Sequence, residues 1–188
     1  MLALLVSLSL NAAPALQARA VIPTPDVSLD RAVLQFVVDR ICSNTKRGYH
    51  VLSSTAAAVP DDAIEGLDPN LVRNLIARNS SRPALPSGIG CKQLKLEDDA
   101  KITRAVSAVA SHPSPKSAHP YWGTFDETFP GATGITHLSL PAYSGSFNEA
   151  LVYVDGICGG LCGSGFIWRL RLVNGQWTLL EVKDLWNA

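Results

Sequence analysis

Phe166-Ile167-Trp168-Arg169-Leu170-Arg171-Leu172-Val173-Asn174-Gly175-Gln176-Trp177-Thr178-Leu179-Leu180-Glu181-Val182-Lys183-Asp184 is the stretch that decides the fold class. Phe166, Trp168, Leu170 and Leu172 fall on one face of an extended chain, and Arg169 and Arg171 on the other. A period of two belongs to a strand with one buried side. Asn174-Gly175 then supplies two residues that accept positive φ, as a tight hairpin turn requires. Residues 176–184 are the returning strand. Segments 135–141 and 149–155 read as two further strands on the N-terminal side.

Upstream of these strands the pattern is helical. Ser28 is a plausible N-cap, and Asp30 places a carboxylate in the first turn, where it offsets the helix dipole. Val33, Leu34, Val37, Val38 and Ile41 recur at helical spacing, and Cys42 continues the inward row. Lys46 and Arg47 suit the last turn, and Gly48 can end the helix. Asp68-Pro69 opens a second helix with Leu71, Val72, Leu75 and Ile76 buried, ending near Asn79. Asp98 or Asp99 caps a third, carrying Ile102, Val106 and Val109 inward. Residues 49–63 are ambiguous between short strand and loop, and 91–97 reads as a short strand. Residues 111–120 form a Pro-rich loop, after which Tyr121, Trp122, Phe125 and Phe129 suggest a helical turn. Leading helices and trailing strands predict an α+β fold: N-terminal helices packed on a C-terminal antiparallel β-meander of about four strands.

Between two of the strands lies Gly156-Ile157-Cys158-Gly159-Gly160-Leu161-Cys162-Gly163-Ser164-Gly165. A disulfide needs Cα atoms about 4.4–6.8 Å apart, whereas an extended C-x₃-C holds them about 13 Å apart. Gly159-Gly160-Leu161 must therefore turn tightly if Cys158 and Cys162 are bridged. The remaining cysteines are Cys42 and Cys91. Four cysteines allow three connectivities. The favoured one pairs Cys158 with Cys162 and Cys42 with Cys91. The spacing differs from the C-x-x-C that dithiol oxidoreductases present at a helix N-terminus.

Phe129-Pro130-Gly131-Ala132-Thr133-Gly134, Leu138-Ser139, Ala150-Leu151-Val152-Tyr153-Val154, the Gly/Cys loop and Asn174-Gly175-Gln176-Trp177 follow one another in order. That succession, over about residues 120–188, resembles a group of exported bacterial proteins of unknown function that carry a CGxLCGxG loop followed by a GxW hairpin. The resemblance implies a fold, and no activity, cofactor or catalytic residue.

The other end of the chain reads as an address. Residues 2–10 are an apolar run interrupted only by Ser7 and Ser9. As a helix it would rise about 14 Å, against a hydrocarbon core of roughly 30 Å. Ala18-Arg19-Ala20 supplies the small residues of a signal-peptidase site, with cleavage between Ala20 and Val21. A basic start is missing. Residues 1–20 are therefore expected to be a signal peptide and 21–188 a single globular domain, periplasmic or extracellular. No later stretch is long and apolar enough for a transmembrane helix.

Basic and acidic residues balance at 16 each, and charged residues make up 17% of the 188. That composition suits a packed globule and offers no basic stripe for nucleic acid. No catalytic set, metal site or cofactor motif stands out. His112, His119 and His137 lack helical ligand spacing. Asp126-Glu127 beside Trp122 and Phe125 could serve a hydrolase, but a solvated turn explains the pair as well. Ser43-Asn44-Thr45-Lys46 matches S-x-x-K at the wrong end of a helix. Asn79-Ser80-Ser81 is a glycosylation sequon. Trp122, Trp168, Trp177 and Trp186 could line a groove, although strand spacing places Trp168 and Trp177 in the core or across the hairpin. The expectation is a non-enzymatic envelope domain that binds a protein or small ligand. Its candidate binding loop holds His112, His119, Tyr121 and Trp122. The alternative is an envelope enzyme, a hydrolase or a thiol-disulfide oxidoreductase using Cys158 and Cys162.

Overall fold

The structure, a computed structural model, describes residues 25–45, 48–60, 64–107, 122–159 and 162–188. Among them are four helices, α1 (Val27–Asn44), α2 (Pro69–Asn79), α3 (Asp99–Ser107) and α4 (Phe125–Thr128). Seven strands accompany them: β1 (Tyr49–Ser53), β2 (Leu94–Glu97), β3 (Ala132–Leu138), β4 (Ala142–Tyr143), β5 (Glu149–Gly159), β6 (Cys162–Val173) and β7 (Gln176–Asn187). The signal segment with its Ala20–Val21 cleavage site lies outside the described residues, as does the whole Pro-rich loop.

The fold is mixed α/β, and its sheet is larger than a four-stranded meander. All seven strands join one sheet in the order β2-β1-β3-β5-β6-β7, with β4 also on β5. The pairs β3–β5, β5–β6 and β6–β7 are antiparallel. By contrast, β1 runs parallel to both β2 and β3. Parallel neighbours need a long crossover, and the helices provide it: α2 lies between β1 and β2, and α3 and α4 between β2 and β3. The β6–β7 turn has φ of 52° at Asn174 and 79° at Gly175, the left-handed pair expected of a two-residue hairpin.

Helix α1 buries Val33, Leu34, Val37 and Val38 completely. They pack on Leu52, Leu94, Leu138, Val152, Val154 and Leu170, one face of the sheet. Its N-cap is Asp26 rather than Ser28: the Asp26 carboxylate accepts from the Ser28 N–H (3.2 Å) and hydroxyl (2.8 Å). A carboxylate two residues upstream reaches a free first-turn N–H that Ser28, inside the turn, cannot. The helix stops at Asn44, and Thr45 N–H bonds back to Ile41 and Cys42 carbonyls. Gly48 lies beyond it, with φ +66° and Thr133 against its open side.

Asp30 does more than offset a dipole. It is 3% exposed, takes a two-pronged bond from the Arg78 guanidinium (3.0 and 2.5 Å) and accepts from Tyr143 Oη (3.0 Å). Burial, with the Asp30 charge beside it, drives the Tyr143 phenol well above its ordinary range. This clasp ties α1 to α2 around the short strand β4. Between β3 and β4 the chain leaves the ladder, and Asn79 replaces the missing strand partner. Its side chain accepts from Leu140 N–H (2.7 Å) and donates to Leu140 O (3.0 Å). Asn79 is fully buried, so the sequon it opens is no glycosylation site in the folded chain.

Candidate functional site

The opposite face of the sheet carries two separate apolar covers. Helices α3 and α4 sit over Val51, Ile135 and Ile157, with Trp122, Phe125 and Phe129 completing that cluster. Helix α2 and Leu67 sit over Leu151, Tyr153 and Ile167. The strand register sets a polar row between them. Ser53 and His137 follow the Leu52–Thr136 pair. His137 then stands opposite Asp155, Asp155 opposite Gly165, and Gly165 opposite Trp186. Side chains alternate between faces, so this row points the same way as the two apolar covers.

Each group in the row is held. His137 Nδ1 lies 2.6 Å from Asp155 Oδ1, and the two side chains keep 19% and 14% of their exposure. An ionised carboxylate only accepts, so Nδ1 carries a proton in this pair and the carboxylate fixes the orientation of the ring. Among the described residues nothing bonds to its Nε2. Ser53, fully buried, donates to Asp99 at the start of α3 (2.7 Å). Arg82 reaches the same Asp99 oxygen (3.2 Å). Burial pushes the Asp99 carboxyl up, but the Ser53 hydroxyl and the Arg82 guanidinium outweigh it and hold it below the ordinary carboxylate range.

At the far end, Trp186 Nε1 donates to Tyr153 Oη (2.9 Å). Burial pushes the Tyr153 phenol up to about 12; the Trp186 N–H opposes this and the Asp155 charge adds to it. The indole lies flat on the backbone of β6. A Cβ at Gly165 would fall 2.6 Å from Trp186 Cε2, and one at Gly163 would fall 3.1 Å from Cζ3. The glycines after Cys162 are thus the bed of this ring. They belong to a strand, not to a loop: the Gly/Cys segment is the tip of the long β5–β6 hairpin, where Gly159 pairs with Cys162.

Cys158 and Cys162 bridge that tip, with Cα atoms 5.1 Å apart. Cys42 and Cys91 join the end of α1 to the turn before β2, with Cα atoms 6.7 Å apart. Of the candidate binding loop, His112, His119 and Tyr121 lie outside the described residues. Trp122 is 7% exposed and meets Phe125 edge-on at 5.0 Å, so its ring belongs to the core. Glu127 is exposed on α4. No group of three or more metal-ligating side chains occurs among the described residues, and no described helix is long and apolar enough to cross a membrane.

Reading residues singly passes over His137, Asp155, Tyr153 and Ser53 as a set. One signal was available: Leu151, Tyr153 and Asp155 alternate along one strand, so a polar end follows an apolar start on the same face. Their partners on β1, β3 and β7 depend on a register that no local pattern states.

No protein-family model matches the chain, and no curated protein or solved structure is significantly similar to it.

Proposed function

We propose that this chain is an exported binding domain of the cell envelope that takes a small ligand on the polar row of its helix-covered sheet face. The observation that carries the proposal is His137: its ring is fixed by Asp155 and partly open to solvent, and its Nε2 has no bond among the described residues. An oriented polar group with no partner among the described residues, set between two apolar covers, is what a recognition site needs. The export reading rests on the expected signal at 1–20 and on the two cysteine pairs, which suit an oxidising compartment. The succession of motifs around the Gly/Cys hairpin supports membership in the group of exported bacterial proteins it resembles. We read both cysteine pairs as staples, because Cys158 and Cys162 sit across a hairpin tip and not at a helix N-terminus.

A screen of chemically diverse small molecules, charged and uncharged, by thermal shift tests the site. Hits are expected to raise the Tm of the wild-type chain and to lose that effect in His137→Ala. Equal shifts in the variant for every hit would overturn the assignment. A second reading makes the same pair a catalytic base, since a carboxylate-oriented imidazole is also the base of acid–base enzymes. Turnover of a hit, abolished in His137→Ala, would favour it over simple binding.

A further inference from the structure

Strand β7 ends the sheet, and among the described residues β6 is its one strand neighbour. An edge strand turns every second N–H and C=O outward, unpaired by its own sheet. β7 is 12 residues long and carries neither proline nor glycine. In the middle of it, Leu180 and Val182 are 43% and 44% exposed. Lysines and bulges commonly guard such edges, and β7 has both. Gly165 pairs with Trp186 but Phe166 with Asp184, and Arg169 pairs with Glu181 but Leu170 with Leu179, so Leu185 and Leu180 are the extra residues of two bulges. Between them Glu181-Val182-Lys183-Asp184 is regular. There the lysine is matched by a glutamate two residues away, on the same face.

That stretch is complementary to itself. Two copies paired antiparallel about a two-fold axis can set three or more of its residues opposite one another in three registers. Centred on Lys183, the pairing opposes two lysines. Centred between Val182 and Lys183, it opposes Glu181 to Asp184. Centred on Val182, it opposes Glu181 of each copy to Lys183 of the other, and Val182 to itself. Like charges directly opposite destabilise a ladder and unlike charges support it, so the third register is the favoured one. Both ions can take a further partner. Glu181 reaches Arg169 only at 4.0 Å, and Lys183 uses one of its three ammonium donors on the Glu65 carbonyl. We propose that β7 pairs with β7 of a second copy, antiparallel and centred on Val182, joining two sheets into one. The regular stretch is short, so the dimer is weak and lies at the small end of specific interfaces.

Sedimentation velocity of the purified chain, from low micromolar to near-millimolar concentration, tests the pairing. A monomer–dimer equilibrium is expected. Glu181→Lys should raise its dissociation constant about tenfold or more, and the exchanged pair Glu181→Lys/Lys183→Glu should recover most of that loss. Val182→Cys is expected to give a disulfide-linked dimer on mild oxidation. Opposite residues of an antiparallel pair have Cα atoms about 4.5 or 5.5 Å apart, inside the disulfide range. Asp184→Cys should give none, because its two copies lie four residues apart along the ladder, roughly 13 Å. Should the exchanged pair fail to fold by circular dichroism, the two cysteine variants decide the matter. A chain that stays monomeric throughout would overturn the proposal. So would a dimer indifferent to Glu181→Lys, or equal cross-linking at 182 and 184. A monomer whose outward β7 amides already resist hydrogen exchange would put a segment of the same chain on that edge, and the second copy would fall.

Discussion

Gly165 shows how much one hydrogen in place of a methyl can decide. The Trp186 indole occupies the volume that a Cβ would fill, with Cε2 at 2.6 Å and Cδ1 at 2.7 Å. Gly165→Ala must therefore lift the ring from the strand and stretch its bond to Tyr153. Overpacking of this kind costs about 1–3 kcal/mol. The expected result is a lower urea midpoint together with a changed near-ultraviolet tryptophan signal. Gly145→Ala is the matched control, because nothing lies within 4 Å of the added group and its φ is not left-handed; its unfolding free energy should stay within about 0.5 kcal/mol of wild type. At this scale the sequence was partly legible. The glycines stand out by density, but the sequence assigns a role only to the tight turn at Gly159-Gly160-Leu161. Only the register that places Trp186 opposite Gly165 shows that two of them serve a close approach.

Among elements, the two disulfides differ in what they constrain. Cys42–Cys91 spans 49 residues and fixes the end of α1 to the parallel side of the sheet, whereas Cys158–Cys162 spans four within one hairpin. In the chain-entropy account, closing the long loop stabilises by roughly 4 kcal/mol and the short one by roughly 2 kcal/mol. Cys42→Ala/Cys91→Ala is expected to lower unfolding free energy about twice as much as Cys158→Ala/Cys162→Ala, measured by urea denaturation under non-reducing conditions. Equal losses would show that the hairpin bridge acts through native geometry and not through the unfolded chain. Helix positions were legible from local chemistry: Asp68-Pro69 opens α2, and Asp98 accepts from Lys101 N–H at the start of α3. Strands β1 and β2 were less so. Each is short and sits among helices, and what makes it a strand is its parallel neighbour, contributed by distant chain.

For the molecule as a whole, the shifted groups bound a window of stability. The Glu149 carboxyl is held low, first by its bond to Arg171, with Arg169 adding to it, and Asp99 is held low within the site. A depressed carboxyl stabilises the fold above its unfolded value, about 4, and that contribution is lost as pH falls through the folded one. Tyr143 and Tyr153 are both raised by burial. A raised phenol contributes fully below about 10, and its contribution fades as pH climbs toward the folded value, about 12 for Tyr153. The urea midpoint should therefore be flat through neutral pH and fall on both sides. Tyr153→Phe is expected to make the alkaline decline shallower, and Glu149→Gln the acid decline. An alkaline limb unchanged by Tyr153→Phe would show that this phenol ionises alike in both states.

By itself the sequence determined the helices, the hairpin at Asn174-Gly175, the alternation along 166–172 and the buried stripe of α1. Each of these is written within a few residues, in periodicity and capping, and needs no distant partner to be read. Tertiary structure alone decided that β1 runs parallel between β2 and β3, that Asp30 meets Arg78 and Tyr143, and that His137, Asp155 and Trp186 share one row. Those outcomes are pairings across long separations in the chain. A strand's own residues fix which side chains share a face; they do not fix which strand lies beside it or in what register. The candidate site is built from that second kind of information.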